Sequence, residues 1–201
     1  MQEPDMGRSA DRILLALLLF TVSTQASAHI VKGKAIGLVS GFEHPISGLD
    51  HMIAMVAVGL WGAQLGKPAI WLLPVTFPLI MACGGFLGLI GVPLPGSEIA
   101  IALSGACLGA AVLREFRPPI WAAALLVGTF GLFHGYAHGA ELPPGQNALL
   151  YSLGFVVATG LLHATGISVG TVHRWRWGRY VLRATGGGIL CGGLLFLWGA
   201  L

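Results

Sequence analysis

Six apolar runs, most close to the length needed to cross a lipid bilayer, occupy the chain from residue 46 onward. A spanning helix needs about twenty predominantly apolar residues. The runs lie at 46–65, 69–90, 98–113, 120–138, 148–169 and 181–200. Charged side chains are 9% of the 201 residues and mean hydropathy is +0.81, whereas soluble domains carry about 25% charge. A soluble globular enzyme, a disordered chain and a nucleic-acid-binding module are thereby excluded. Backbone in lipid must satisfy its own hydrogen bonds, so the expected fold class is all-α, a polytopic bundle of six transmembrane helices. The third run is the weakest, with only fifteen residues between Glu98 and Arg114. Pro and Gly mark the connections at Lys67-Pro68, Val92-Pro93-Leu94-Pro95-Gly96, Pro118-Pro119 and Pro143-Pro144-Gly145.

A shorter apolar stretch precedes these runs. Arg8 and Arg12 are followed by apolar residues 13–22, polar Ser23-Thr24-Gln25 and then Ala26-Ser27-Ala28. That order is an n-region, an h-region and an A-x-A cleavage site. Residues 1–28 are expected to be a cleaved signal peptide, leaving a membrane domain over 29–201 with His29 at its new N-terminus. Glu3, Asp5 and Asp11 are unusual in an n-region, and a start at Met6 would remove two of them.

Lys and Arg in short loops set orientation. Lys67, then Arg114 and Arg117, then Arg174, Arg176, Arg179 and Arg183 follow the odd-numbered runs, while loops 91–97 and 139–147 contain no Lys or Arg. Odd runs should therefore end in the cytoplasm. A signal peptide gives the same orientation independently, with both mature termini outside. Each half then holds three spans, and an odd number gives the halves inverted topology, as in many transporters.

Ionisable residues in or at the edge of spans are costly and mark function. One cluster is His44-Pro45-Ile46-Ser47-Gly48-Leu49-Asp50-His51, just after Glu43. The other is Phe133-His134-Gly135-Tyr136-Ala137-His138-Gly139-Ala140-Glu141-Leu142-Pro143. Pro45 suits the first turn of a helix. His44 and His51, seven apart, would then share a face, with Gly48 leaving that face open and Asp50 beside His51 to ligate or orient the imidazole. His134, His138 and Glu141 form one stripe if their helix continues that far. Gly48, Gly135 and Gly139 would let the first and fourth spans approach closely. The first cluster opens span one and the second closes span four, so both fall at the outer ends of their spans. Imidazoles with carboxylates suit Ni, Co, Zn or Cu(II), and His44, Asp50, His51, His134, His138 and Glu141 are the expected metal ligands. His29, through its amine and ring, is a further candidate. His163, inside span five, is either a helix–helix hydrogen bond or a station on a permeation path.

Other polar features read as structural. Glu98 is a solvated interfacial residue, and His173 with 174–177 is a positive-inside anchor with aromatic residues. Met55, one turn from His51, offers a thioether but reads as a core- or lipid-facing side chain. Cys83, Cys107 and Cys191 form no CxxC, are odd in number, and read as small packing residues.

The two clusters resemble the HPxxGxDH and FHGxAHGxExP-like motifs of the HupE/UreJ family of bacterial nickel permeases. The likeness extends over essentially the whole mature chain, including Leu162-His163 in a Gly/Ala-rich late span. It implies uptake of nickel, or cobalt, across the bacterial inner membrane to supply maturation of hydrogenase or urease. The metal would then be cargo, with no permanently bound cofactor and no nucleic-acid partner; the metal's identity comes from the resemblance alone.

The residues leave rival classes open. No ATP-binding motif supports a pump: Gly62-Ala63-Gln64-Leu65-Gly66-Lys67 has Trp61 and Pro68 where a P-loop needs Gly and Ser/Thr. An intramembrane hydrolase would need an HExxH or GxSxG pattern, which the chain lacks, so no enzyme is expected. A haem-binding electron carrier and a metal sensor or chaperone without transport are the alternatives to a permease.

Overall fold

The computed structural model describes residues 36–142 and 145–201. The expected signal peptide, its cleavage site, His29, Lys32 and Lys34 lie outside the described residues. Long apolar stretches with Pro and Gly at their ends become helices, because in lipid only intrahelical bonds satisfy the backbone. In chain order these are α1 (Ile36–Ser47), α2 (Leu49–Leu65), α3 (Ala69–Leu89), α4 (Ser97–Arg114), α5 (Ile120–Ala140), α6 (Ala148–Gly170) and α7 (Gly178–Ala200). A short 3-10 turn, Thr171–Arg174, links α6 to α7. The described residues contain no strand. Helices α3 to α7 are each long and apolar enough to cross a bilayer, which makes this a multi-pass membrane protein.

Where one straight helix over 46–65 is expected, the structure has no single spanning helix. A pair of helices, α1 and α2, stands there, bent by 80° at Gly48. Gly48 is extended, with φ −84° and ψ 106°. Pro45 lies in the last turn of α1 rather than the first turn of a new helix. Around the break, the Ser47 hydroxyl and the Gly48 N–H both donate to the His44 carbonyl, at 3.0 and 3.2 Å. The Met52 N–H donates to the Gly48 carbonyl at 2.9 Å, starting α2. The doubtful third span does form, as the 18 residues of α4.

Helix α2 is the centre of the bundle. Ala54, Met55, Ala57, Val58, Leu60 and Trp61 are fully buried, and α2 packs on α6, α4, α3 and α7. The most extensive contacts are α3 with α5, α4 with α7, and α6 with both α1 and α2. Small residues make these contacts possible. A Cβ on Gly84 or Gly88 would strike the carbonyls of Leu132 or Tyr136, and one on Gly131 the carbonyl of Phe77. Without a hydrophobic force between helices in lipid, such close backbone approach is what holds them together. With α1 and α2 taken together as one unit, exchanging the first three units with the last three maps α3–α5 onto the α1/α2–α6 contact, and α4–α7 onto itself. The symmetry is partial, since α2 packs on α4 while α5 and α7 make no comparable contact.

The connections bearing Lys67, Arg114, Arg117 and the later arginines gather at one end. There the Trp61 indole donates to the Phe116 carbonyl at 2.9 Å, and Gln64 Nε2 donates to the Val112 carbonyl at 3.1 Å. Arg179 donates two hydrogen bonds to the Glu115 carboxylate, at 2.9 and 3.2 Å. Those bonds hold Glu115 below the ordinary carboxyl range. His173 belongs to this end, where it lines a cavity of about 380 Å³ with Gln64, Glu115, Arg117 and Arg179. At the opposite end the Tyr136 hydroxyl accepts from the Leu94 N–H at 3.1 Å. Glu98 is exposed, as expected. The cysteines are not interior packing residues: Cys83, Cys107 and Cys191 are free and exposed on outward helix faces.

Candidate metal centre

The bend at Gly48 places the first motif on two helices. His44 ends α1, while Asp50 and His51 sit in the first turn of α2. They do not share one helical face as their seven-residue spacing suggests, yet their rings face each other across the bend, centres 6.2 Å apart. Asp50 stands where the unpaired N–H groups of a helix start favour negative charge. Its Oδ1 accepts from the backbone N–H of His51 and from the His51 ring at Nδ1, both at 2.9 Å. Gly48 leaves room for this pair: a Cβ there would lie 3.2 Å from Asp50 Oδ1 and 3.3 Å from His51 Nδ1.

The second motif lies in the last two turns of α5. His134 is fully buried and His138 is 6% exposed. Their rings reach the first motif directly. Ring centres are 5.0 Å apart for His51 and His134, and 4.6 Å for both His51–His138 and His44–His138. Phe155 of α6 covers the His138 ring at 4.2 Å, and Tyr151 stands 6.0 Å from His44. His138 also lines a cleft of about 160 Å³ between α3, α5 and α6.

The hydrogen bonds of these rings have one pattern. His51 Nδ1 faces Asp50, and His134 Nδ1 lies 2.9 Å from the Phe130 carbonyl. A carbonyl or carboxylate only accepts, so Nδ1 carries the proton in each neutral ring and Nε2 keeps the lone pair. Nε2 of His51 and of His134, and both ring nitrogens of His138, are buried without a hydrogen-bond partner among the described residues. Buried polar atoms are rarely left so. A metal-binding imidazole donates its second N–H to a carbonyl or carboxylate in this way. Two imidazoles sharing one ion, with metal–nitrogen bonds of about 2.1 Å, have ring centres about 5 Å apart. The observed spacings of 4.6–6.2 Å bracket that value. Several rings meet edge to face, however, and among the described residues no three donors point at one position. Coordination by three or more therefore requires side chains to shift from the positions seen here.

The remaining expectations about this region fare differently. Glu141 is the exposed C-cap of α5, its N–H still donating to the Ala137 carbonyl at 2.9 Å one turn past His138. Gly135 and Gly139 do not bring spans one and four together. A Cβ on Gly135 would collide with the Met81 carbonyl, and one on Gly139 with the Gly85 carbonyl, so both glycines pack α5 on α3. Ring contacts of His134 and His138 with His44 and His51 connect α5 to α1 and α2. Met55 turns its sulfur to the Thr159 hydroxyl, 3.4 Å away, inside the core. His163 lies apart from the four-ring cluster, with Nδ1 2.8 Å from the Met55 carbonyl. Sequence alone does not single out Phe77, Tyr151 or Phe155, because an aromatic ring in an apolar span carries no signal of what it touches.

Comparison with known proteins agrees with the motifs that make this centre. The HupE / UreJ protein family model matches residues 16–196. Protein HupE of Rhizobium leguminosarum bv. viciae is 43% identical over 188 residues, covering 94% of this chain and 98% of its own length. No solved structure matches. With nearly the full length aligned and both histidine motifs inside the matched region, this chain belongs to the HupE/UreJ family.

Proposed function

We propose that this protein is a secondary permease or facilitator for a divalent transition metal, with nickel the preferred cargo and cobalt the close second. The supporting observation is the paired state of the histidines: Nδ1 of His51 and of His134 is held by an oxygen while Nε2 is buried and unpartnered. His44, Asp50, His51, His134 and His138 are the proposed ligand set. Glu141, exposed one turn past His138, is the acid that draws a hydrated cation to it. Imidazoles replace the ion's water, and Asp50 supplies a negative charge beside them. Nickel and cobalt themselves come from the family's role, since such a donor set suits several first-row metals. The same role supports supply to nickel-enzyme maturation, of hydrogenase or urease.

The Lys/Arg asymmetry supports an inner-membrane orientation with the histidine end and both mature termini periplasmic. Moving a doubly charged ion inward is then favoured by about 4–5 kcal/mol per 100 mV of membrane potential, at about 2.3 kcal/mol per charge. That suffices for uptake without nucleotide hydrolysis.

Alanine at His44, Asp50, His51, His134, His138 or Glu141 is expected to abolish nickel accumulation by cells while the protein stays in the membrane. Normal uptake by most of these variants would refute the site. Binding without flux in the wild-type protein, reconstituted in liposomes, would instead mean a sensor or chaperone. An intense visible absorption band in the purified protein would mean a haem carrier.

Gly48→Ala is a gentler probe of the same centre. The added methyl pushes Asp50 off the His51 ring without removing a donor. Nickel affinity should fall about 10-fold, the lower end of losses seen when a ligand's orienting partner is disturbed. Calorimetric titration of purified protein checks it, and unchanged affinity would mean that the Asp50–His51 bond does not orient the ligand.

A further inference from the structure

The pairing pattern of the outer histidines recurs once more, deeper in the bundle. His163 of α6 is 2% exposed. Its Nδ1 faces the Met55 carbonyl at 2.8 Å and its Nε2 is buried without a partner among the described residues. A helix–helix staple needs only the first of these nitrogens. Thr159, one turn earlier on α6, donates its hydroxyl to the Met55 sulfur of α2 at 3.4 Å.

One ring separates this place from the outer cluster. Phe77 of α3 is fully buried. Its ring centre is 5.3 Å from His134 and 5.4 Å from His163, edge to face with both. His134 lies six residues from the outer end of α5, about 9 Å along the axis, while His163 lies fifteen residues into α6, about 22 Å. The order from outside inward is therefore the four-ring cluster, Phe77, then His163. Phe77 also sits where α3 is weakest. Pro74 and Pro78 flank it and lack N–H groups, so the Ile70 and Pro74 carbonyls in the turns leading up to it lose their helical partners.

We infer that His163 is a second metal stop on the inward path, and that Phe77 is the partition a cation must pass between the outer cluster and that stop. This rests on the outer histidines being a metal site. With Nδ1 tied to Met55, His163 presents Nε2 to the arriving ion without reorienting. The proline-weakened turn of α3 is the segment whose movement carries the Phe77 ring aside.

The test uses the full-length protein in detergent with Ni2+ alone. Wild type should bind one ion quickly and a second slowly, the delay being passage of Phe77. His163→Asn keeps a side-chain N–H for the Met55 carbonyl and removes the Nε2 donor. It should retain the fast ion at unchanged affinity, lose the slow one, and lower uptake about 10-fold or more, as loss of an essential metal contact does. Phe77→Leu should accelerate the slow phase at least about threefold by shrinking the partition. Wild-type uptake or a retained slow ion in His163→Asn would overturn the inner stop while leaving the outer site standing. An unchanged slow phase in Phe77→Leu would overturn the partition. Absence of the fast ion in wild type would overturn the outer site, and the inner stop with it.

Discussion

His51→Ala combined with His138→Ala lowers nickel affinity no further than the weaker of the two single variants. Each single replacement should already cost about 100-fold, the upper end of what loss of an orienting partner costs at a metal site. The reason lies in the arrangement. His138 contacts both His44 and His51 at 4.6 Å, and it is the only ring of the second motif in contact with both histidines of the first. Removing it separates the α5 donors from those of α1. Removing His51 separates Asp50 and α2 from both rings of α5. Either change leaves fragments of the site with too few donors, so the second change has little left to destroy. Independent sites would instead give losses that multiply. Titration of the four proteins, wild type, both singles and the double, measures the coupling directly. A double variant weaker than either single by the product of their losses would mean two separate ions, and a shared centre would have to be abandoned.

Much of this centre is legible in the amino-acid order. Apolar run length gives the helices, and α3 to α6 begin and end within a few residues of the expected limits. Convergence of His44, His51, His134 and His138 follows from counting spans, because alternation brings the start of the first and the end of the fourth to one side. The bend is what the sequence conceals. Pro45 reads most naturally as a first-turn residue, where its missing N–H costs nothing, but here it stands in the last turn of α1, and Gly48 has a negative φ that any residue could adopt. The helical spacing argument for His44 and His51 fails for that reason, although the bend brings the two rings together anyway. Helix partners are hidden too. Small residues every four positions announce a close contact without naming the neighbour, and Gly135 and Gly139 face α3, not the helices carrying the first motif. Phe77 and Phe155 reach the histidines from other spans, through contacts that only tertiary packing creates.

The largest structural effect is expected at one of these glycines. Gly135→Ala should destabilise the protein by about 3 kcal/mol or more, the upper part of the range for forcing atoms into a packed interior. The new Cβ would run into the Met81 carbonyl and sit 2.9 Å from the Gly85 backbone nitrogen. Backbone cannot swing away as a flexible side chain does, so α3 and α5 must part. Their whole contact is built this way, with Gly131 against Phe77, Gly139 against Gly85, and Gly84 and Gly88 returning the approach from α3. Lipid offers no hydrophobic force to hold them once that fit is lost. Gly160 is the control, since a Cβ there meets nothing within 4 Å. Thermal unfolding in detergent should therefore show a clear fall for Gly135→Ala and little change for Gly160→Ala. The site should suffer as well, because Gly135 lies directly after His134 and three residues before His138. Any folded fraction of Gly135→Ala should bind nickel more weakly than wild type, with all five proposed ligands still present. Equal stability of the two variants would mean that the α3–α5 contact yields easily, and close helix approach would then explain neither the fold nor the position of the histidines.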